Sequence, residues 1–349
     1  MPGLAMIWPS VVAHADWGVD RAKRQMALAS LDPGGIGAGP GYGAGPGYMV
    51  SSLAPAAEGQ ELFDGIQAAA RPGQALVGFD FPIGLPRKYA AEAGITSFPD
   101  FLDALGTPPW DEFHLVAARP AEITLHRPFY PASPGGTRRE HQYQALGLAG
   151  PDLRRRCEGT DAESLFWTLG GKQAGKGALA GWQLIAAARR RDQGISLWPF
   201  DGSLQGLLAG GGRVVVAEAY PREYYRYLGP LPGPGRWSKR RREDRLRRVP
   251  GLLSWASSLG VRWDAAILDR AESGFSAGRN GEDEFDAVVG LLGMIGVITG
   301  SIDAGAPPGD RAVPSVEGWI LGRAGYEPPA ASAAIARLAA DRTLGLSSS

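Results

Sequence analysis

Val11-Val12-Ala13-His14-Ala15-Asp16 is an apolar run that ends in a carboxylate, and acids embedded in apolar sequence recur at three further places. Ala75-Leu76-Val77-Gly78-Phe79 leads into Asp80, and Val214-Val215-Val216-Ala217 leads into Glu218. Asp286 stands within Phe285-Asp286-Ala287-Val288-Val289, at the head of an apolar helical stretch. Charged residues are rarely buried alone, and no matching cation stands beside these four acids in sequence. Two carboxylates ~4 Å apart repel by about 4 kcal/mol at an effective dielectric of ~20. If the four converge, a divalent cation would relieve that repulsion, and magnesium prefers such oxygen ligands.

Apolar runs of this length read as buried strands. Residues 11–17, 24–31 and 48–53 give three, which short turns would join into an antiparallel meander. Between the second and third, residues 32–47 are almost wholly Gly, Pro, Ala and Tyr and read as a flexible hairpin loop. Residues 58–71 form an amphipathic helix, with Leu62, Phe63, Ile66 and Ala70 on one face. A fourth strand ends at Asp80, stopped by Pro82 and Pro86, and a fifth spans 213–217. Residues 87–212 lack a sheet rhythm and carry a helix at 178–191, so they read as an insertion or a second lobe. Helices follow at 238–259 and 282–299, and 326–349 read as a poorly ordered tail. The fold class is therefore α/β: a mixed five-stranded sheet flanked by helices, with a core split over 11–86 and 213–322 and a large insertion between its fourth and fifth strands.

Bulk properties narrow the function. The 36 basic and 36 acidic residues cancel, so overall charge gives no drive toward nucleic acid. The single cysteine, Cys157, excludes an intramolecular disulfide, suits a reducing compartment and reads as a packing residue. Ala13-His14-Ala15 mimics a cleavage site, but the preceding residues contain no Lys or Arg and Trp8-Pro9 breaks the apolar run, against a signal peptide. No uninterrupted apolar run reaches the ~18 residues of a membrane span. The expectation is a cytoplasmic protein without a membrane partner.

Some acids have ordinary readings. Glu282, Asp283 and Glu284 sit where acids favour a helix dipole, with Asn280 as the N-cap. Asp283 and Asp286 are three apart and share a helix face; Gly290, Gly293 and Gly300 continue that face and would let the helix approach the sheet. Asp16 and Asp80 could be simple strand-end turn acids. Glu218 could pair with an arginine such as Arg222.

Two motifs resemble catalytic signatures. Gly274-Phe275-Ser276-Ala277-Gly278 matches a nucleophile elbow, but all four histidines precede Ser276, against the required order. Gly170–Gly177 approaches a phosphate-binding loop, yet Gly177 replaces its magnesium-binding hydroxyl. Lys172 and Lys176 could still contact a substrate phosphate. The densest basic segment is Arg236–Arg248, where Lys239, Arg241, Arg242 and Arg245 are candidate phosphate contacts and Trp237 could stack on a base. The runs Arg154–Arg156 and Arg189–Arg191 are smaller patches; a solvated basic face is the alternative for all three.

His14-Ala15-Asp16-Trp17, Gly78–Pro86, Ala217–Pro221, Asp283–Ala287 and Glu317–Leu321 together resemble domain-of-unknown-function family 429, whose members are regarded as nucleases with an RNase H-like fold. The resemblance spans roughly residues 11–322, and the Asp-x-x-Asp of the last helix is also similar to that of RuvC-type junction resolvases. It implies Asp16, Asp80 and Asp286 as metal ligands, with Glu218 and Asp283 as further ligands or supporting residues. The resulting expectation is an RNase H-like nuclease acting on RNA or DNA, with two Mg2+ or Mn2+ ions about 3.5–4 Å apart. The catalytic set would be Asp16, Asp80, Glu218 and Asp286. A phosphotransferase or nucleotide-binding protein, and a non-catalytic nucleic-acid-binding protein, are the alternatives.

Overall fold

Seven strands form one mixed sheet in the computed structural model, which describes residues 7–324 except 19, 38–44, 160–161, 171–174, 193, 212, 231–236, 279 and 307–308. They are β1 (Val11–Asp16), β2 (Gln25–Gly37), β3 (Gly45–Pro55), β4 (Ala75–Phe79), β5 (Ile195–Leu197), β6 (Val214–Glu218) and β7 (Val261–Trp263). Their order across the sheet is β5-β6-β4-β1-β2-β3-β7. The first three strands make the antiparallel meander expected from their short connections. β4 adds to β1 in parallel and β6 adds to β4 in parallel.

The sheet has two strands more than the five expected. β5 pairs in parallel with β6, and β7 pairs in parallel with β3. Each has three residues, too few to show a period of two in sequence. The Gly/Pro-rich segment is also more regular than expected. Asp32 pairs with Gly47 and Gly37 with Gly45, so the hairpin ladder runs into it. Ladder hydrogen bonds come from the backbone and tolerate side-chain-poor sequence. The tip at 38–44 and the tail at 326–349 lie outside the described residues.

Alternation along the strands divides the core. Val11, Ala13, Ala15, Val77, Phe79, Val214 and Val216 face a cluster containing α1 (Gln60–Ala70), α2 (Gly175–Arg191) and aromatic residues of 87–212 such as Phe98, Phe113 and Phe166. Those parts of the block pack on this face of the sheet as a covering layer, whereas Trp198, Leu204 and Leu208 join the opposite cluster. Val12, Leu76, Val215 and Ala217 face the opposite cluster, with α3 (Val249–Ser258) and α4 (Gly281–Ile298). The expected single helix over 238–259 is two: a short one at Arg242–Leu246, then α3 with Pro250 in its first turn, where a missing N–H is tolerated.

α4 approaches β1 closely because Gly290 has no side chain. A Cβ there would come within 2.4 Å of the His14 ring. Gly293, expected on the same face, makes room for the Tyr224 ring instead, and Gly300 lies beyond the helix end. Another close crossing joins the loop after β4 to the C-terminal segment. Gly84 and Gly318 both have positive φ, and a Cβ on either would strike the other's loop backbone at 2.2 Å. This crossing seats Glu317–Leu321 beside β6, where Leu321 N donates to Glu218 O at 2.8 Å.

Candidate functional site

β1, β4 and β6 end level with one another: Ala15 lies beside Phe79, and Phe79 beside Glu218. The next residues of β1 and the β4 chain are Asp16 and Asp80. By parity they belong to the α4 face, together with Val12, His14, Leu76 and Gly78. The first turns of α4 bring Asp283 and Asp286 to the same place. Asp80 and Asp286 act on Asp16 through their charges, and Asp283 interacts with Asp16. The Asp80 Oδ1 atom accepts from Trp17 N at 2.6 Å, which fixes its rotamer over the end of β1.

This crowding raises the pKa of Asp16, Asp283 and Asp286. Burial, then Asp80 and Asp286, hold the Asp16 carboxyl well above the ordinary carboxylate range. Burial, then the Glu282 charge, raises Asp283 to about 6. Burial also raises Asp286, against the opposing pull of Lys239 and Tyr225. His14, fully buried behind the cluster, is held neutral by desolvation and its Nε2 lies 2.9 Å from Ala219 O.

Lys239 supplies the nearest compensating charge. Its ammonium contacts Asp286 Oδ2, and the Tyr225 hydroxyl donates to Asp286 Oδ1 at 2.5 Å. Burial works against the lysine's charge, but Asp286 and Asp16 outweigh it, so its pKa is raised. The expected phosphate contact is thus a counter-ion of the acidic cluster. Tyr225 had no signal in sequence beyond its place after the β6 turn.

Glu218 does not join these acids. It shares the parity of Val214 and Val216 and so projects to the opposite face of the sheet. There Arg155 grips it in a bidentate pair, with Nη1 and Nη2 each 2.7 Å from a carboxylate oxygen, and Ile83 N donates to it at 2.8 Å. The expectation of Glu218 as a catalytic acid is corrected: its role is the buried ion pair. The partner is Arg155, 63 residues away, and not Arg222.

The basic segment is likewise used internally. Arg245 is 1% exposed, and its guanidinium donates to the carbonyls of Lys239, Gly274 and Ser276. It cannot reach a substrate phosphate. Arg242 donates to Ser273 O. Arg241 and Arg247 both pair with Asp244. Arg155 and Arg156 of the smaller run bind Glu218, Asp310 and Glu317. Lys176 lies in the first turn of α2, away from the acidic cluster's ion pairs, and Lys172 lies outside the described residues. Asn280 precedes α4 without a side-chain cap, while Glu284 is buried against Arg270 and the Ser276 hydroxyl.

Oxygen-only ligands suit magnesium or manganese. Asp16 Oδ2 and Asp283 Oδ2 are buried without a hydrogen-bond partner among the described residues, which is unusual for buried polar atoms. In the arrangement seen, however, no group of three or more His, Cys, Asp or Glu side chains among the described residues is assembled to hold an ion. Lys239 and Tyr225 engage Asp286 instead. The residues fit a hard cation in charge and donor type, provided the lysine head withdraws.

Comparison of the chain with protein-family models, curated proteins and solved structures found no match. Among the described residues, no helix is long and apolar enough to cross a membrane.

Proposed function

We propose that this protein is a divalent-metal-dependent hydrolase of phosphodiester bonds in nucleic acid, built on an RNase H-like core. The observation that carries the reading is the convergence of Asp16, Asp80, Asp283 and Asp286 from two adjacent parallel strand ends and one helix. Supporting it, β3-β2-β1-β4-β6 within the larger sheet has the meander and parallel additions expected for that fold. Asp16 and Asp283 each keep a buried oxygen without a hydrogen-bond partner among the described residues, and the Trp17 amide orients Asp80. Magnesium or manganese held there would activate water and stabilise a leaving oxygen.

The chain's own groups divide the remaining work. Asp16, Asp80, Asp283 and Asp286 hold the ions. Tyr225 orients Asp286, and Lys239, released from Asp286, is the cation nearest to an incoming phosphate. His14 supports the end of β1 from beneath, neutral and away from substrate. Glu218 and Arg155 brace the strand ends from the other face. The test is cleavage of a labelled single-stranded oligonucleotide with magnesium or manganese and with chelator. Metal-dependent product that disappears in Asp16→Asn supports the proposal. Unchanged product in that variant, or no product with RNA or DNA of either strandedness, contradicts it.

A further inference from the structure

A cavity of about 750 Å3 opens beside Asp80, outside the carboxyl ends of β1, β4 and β6. In open α/β sheets this is where ligands bind, and the volume falls in the range of small-molecule sites. One wall is core: Trp17, Asp80 and Tyr220 at the strand ends. The facing wall comes from Arg155, Glu158, Gly159, Ala162 and Glu163 of the covering layer. The acidic cluster therefore meets the cavity at one edge, through Asp80.

The lining separates spent charges from available ones. Arg155 is consumed by Glu218 and Glu158, and Arg323 by Glu223. Arg222 is exposed and has no carboxylate partner among the described residues; its side chain reaches the Tyr220 hydroxyl. Tyr220 is exposed, at 38%, unusual for a large hydrophobic residue among the described residues. Trp17 is 4% exposed, clamped between Arg24 and Phe79, yet its indole Nε1 has no acceptor among the described residues.

We propose that this cleft takes the terminal nucleotide of a nucleic-acid strand, with its base against Tyr220 and its phosphate on Arg222, next to the Asp80 edge of the acidic cluster. Aromatic faces accept any base by stacking, and arginine binds phosphate in a forked geometry. The volume suits one nucleotide unit and not a length of duplex. The assignment rests on the phosphodiesterase reading and gives it a direction: the strand end enters the cleft, and the bond beside it reaches the acids.

The test is calorimetric titration of the full chain with AMP, inorganic phosphate and a single-stranded tetranucleotide, and in parallel with manganese. Saturable AMP binding is expected, displaced by the tetranucleotide and not matched by phosphate. Arg222→Ala and Tyr220→Ala should each weaken it, the former by roughly an order of magnitude, as for loss of one charge-assisted hydrogen bond. No AMP binding at millimolar concentration, equal binding of phosphate, or binding indifferent to both variants overturns the proposal. So does AMP binding that the tetranucleotide cannot displace. Manganese binding without AMP binding sinks the cleft assignment alone. AMP binding without manganese binding sinks the metal-site reading alone.

Discussion

Replacing Glu218 by Gln should unfold the strand ends without disarming the acidic cluster. Arg155 is wholly buried, with both terminal nitrogens 2.7 Å from Glu218 and its Nε 3.0 Å from Glu158. Gln preserves shape but leaves a buried guanidinium facing one remaining carboxylate. Breaking a buried ion pair from one side costs about 3–5 kcal/mol. Glu158 retains part of the compensation, so the low end of that range is expected here, about 3 kcal/mol. For a chain of this size that corresponds to a fall in Tm of roughly 4 °C. The assay is thermal unfolding with and without 1 mM manganese, on Glu218→Gln and on the double variant Arg155→Met/Glu218→Met. The double variant should recover most of the loss, because it removes both buried charges. The manganese-induced rise should match wild type in Glu218→Gln. A loss under about 1 kcal/mol, or disappearance of the manganese effect in that variant, would refute the assignment of Glu218 to structure.

Asp283→Asn tests the acidic cluster by pH. A carboxyl raised to about 6 favours the folded state at low pH. That contribution is complete below the unfolded value near 4 and is lost as pH rises through about 6. Relative to wild type, the variant should gain stability between those limits. The full linkage is about 3 kcal/mol, which partial exposure reduces to about 1–2 kcal/mol; urea unfolding at pH 4 and pH 8 measures it, and a pH-independent difference contradicts it. Lys239→Met should lower metal-free stability and enlarge the rise in Tm produced by manganese, because the acids lose their internal cation and the ion loses a competitor. An unaltered manganese response would show that the lysine does not occupy the ion's place. Arg245→Ala should destabilise the fold by stranding three carbonyls, about 2–4 kcal/mol. A variant as stable as wild type, judged by urea unfolding, would contradict its structural assignment.

Much of the sheet was legible because its central strands are buried on both faces and read as apolar runs bounded by Pro, Gly or an acid. The convergence of Asp16 and Asp80 followed from where those runs stop. Glu218 was misread because its own run has the same form. Only the register with β4 reveals that its parity is that of Phe79 and not of Asp80. Arg155 could not be identified as its partner, since nothing in a three-arginine run says which member turns inward. The basic segment misled for a similar reason: Arg245 looks like its neighbours in sequence, yet tertiary packing turns it onto three backbone carbonyls. β5 and β7 lay below the length at which alternation is visible, and the contact of Lys239 with Asp286 crosses 47 residues.

In the proposed function, Asp16, Asp80, Asp283 and Asp286 hold divalent cations, and Lys239 neutralises these acids when no cation is bound. Calorimetric titration with manganese at pH 7.5 tests it most directly, comparing wild type with Asp16→Asn and Asp80→Asn. Saturable binding is expected in wild type, weakened at least about tenfold by each substitution through the loss of one charged ligand. Absence of binding at millimolar manganese in folded wild-type protein, or equal binding in all three, would contradict it.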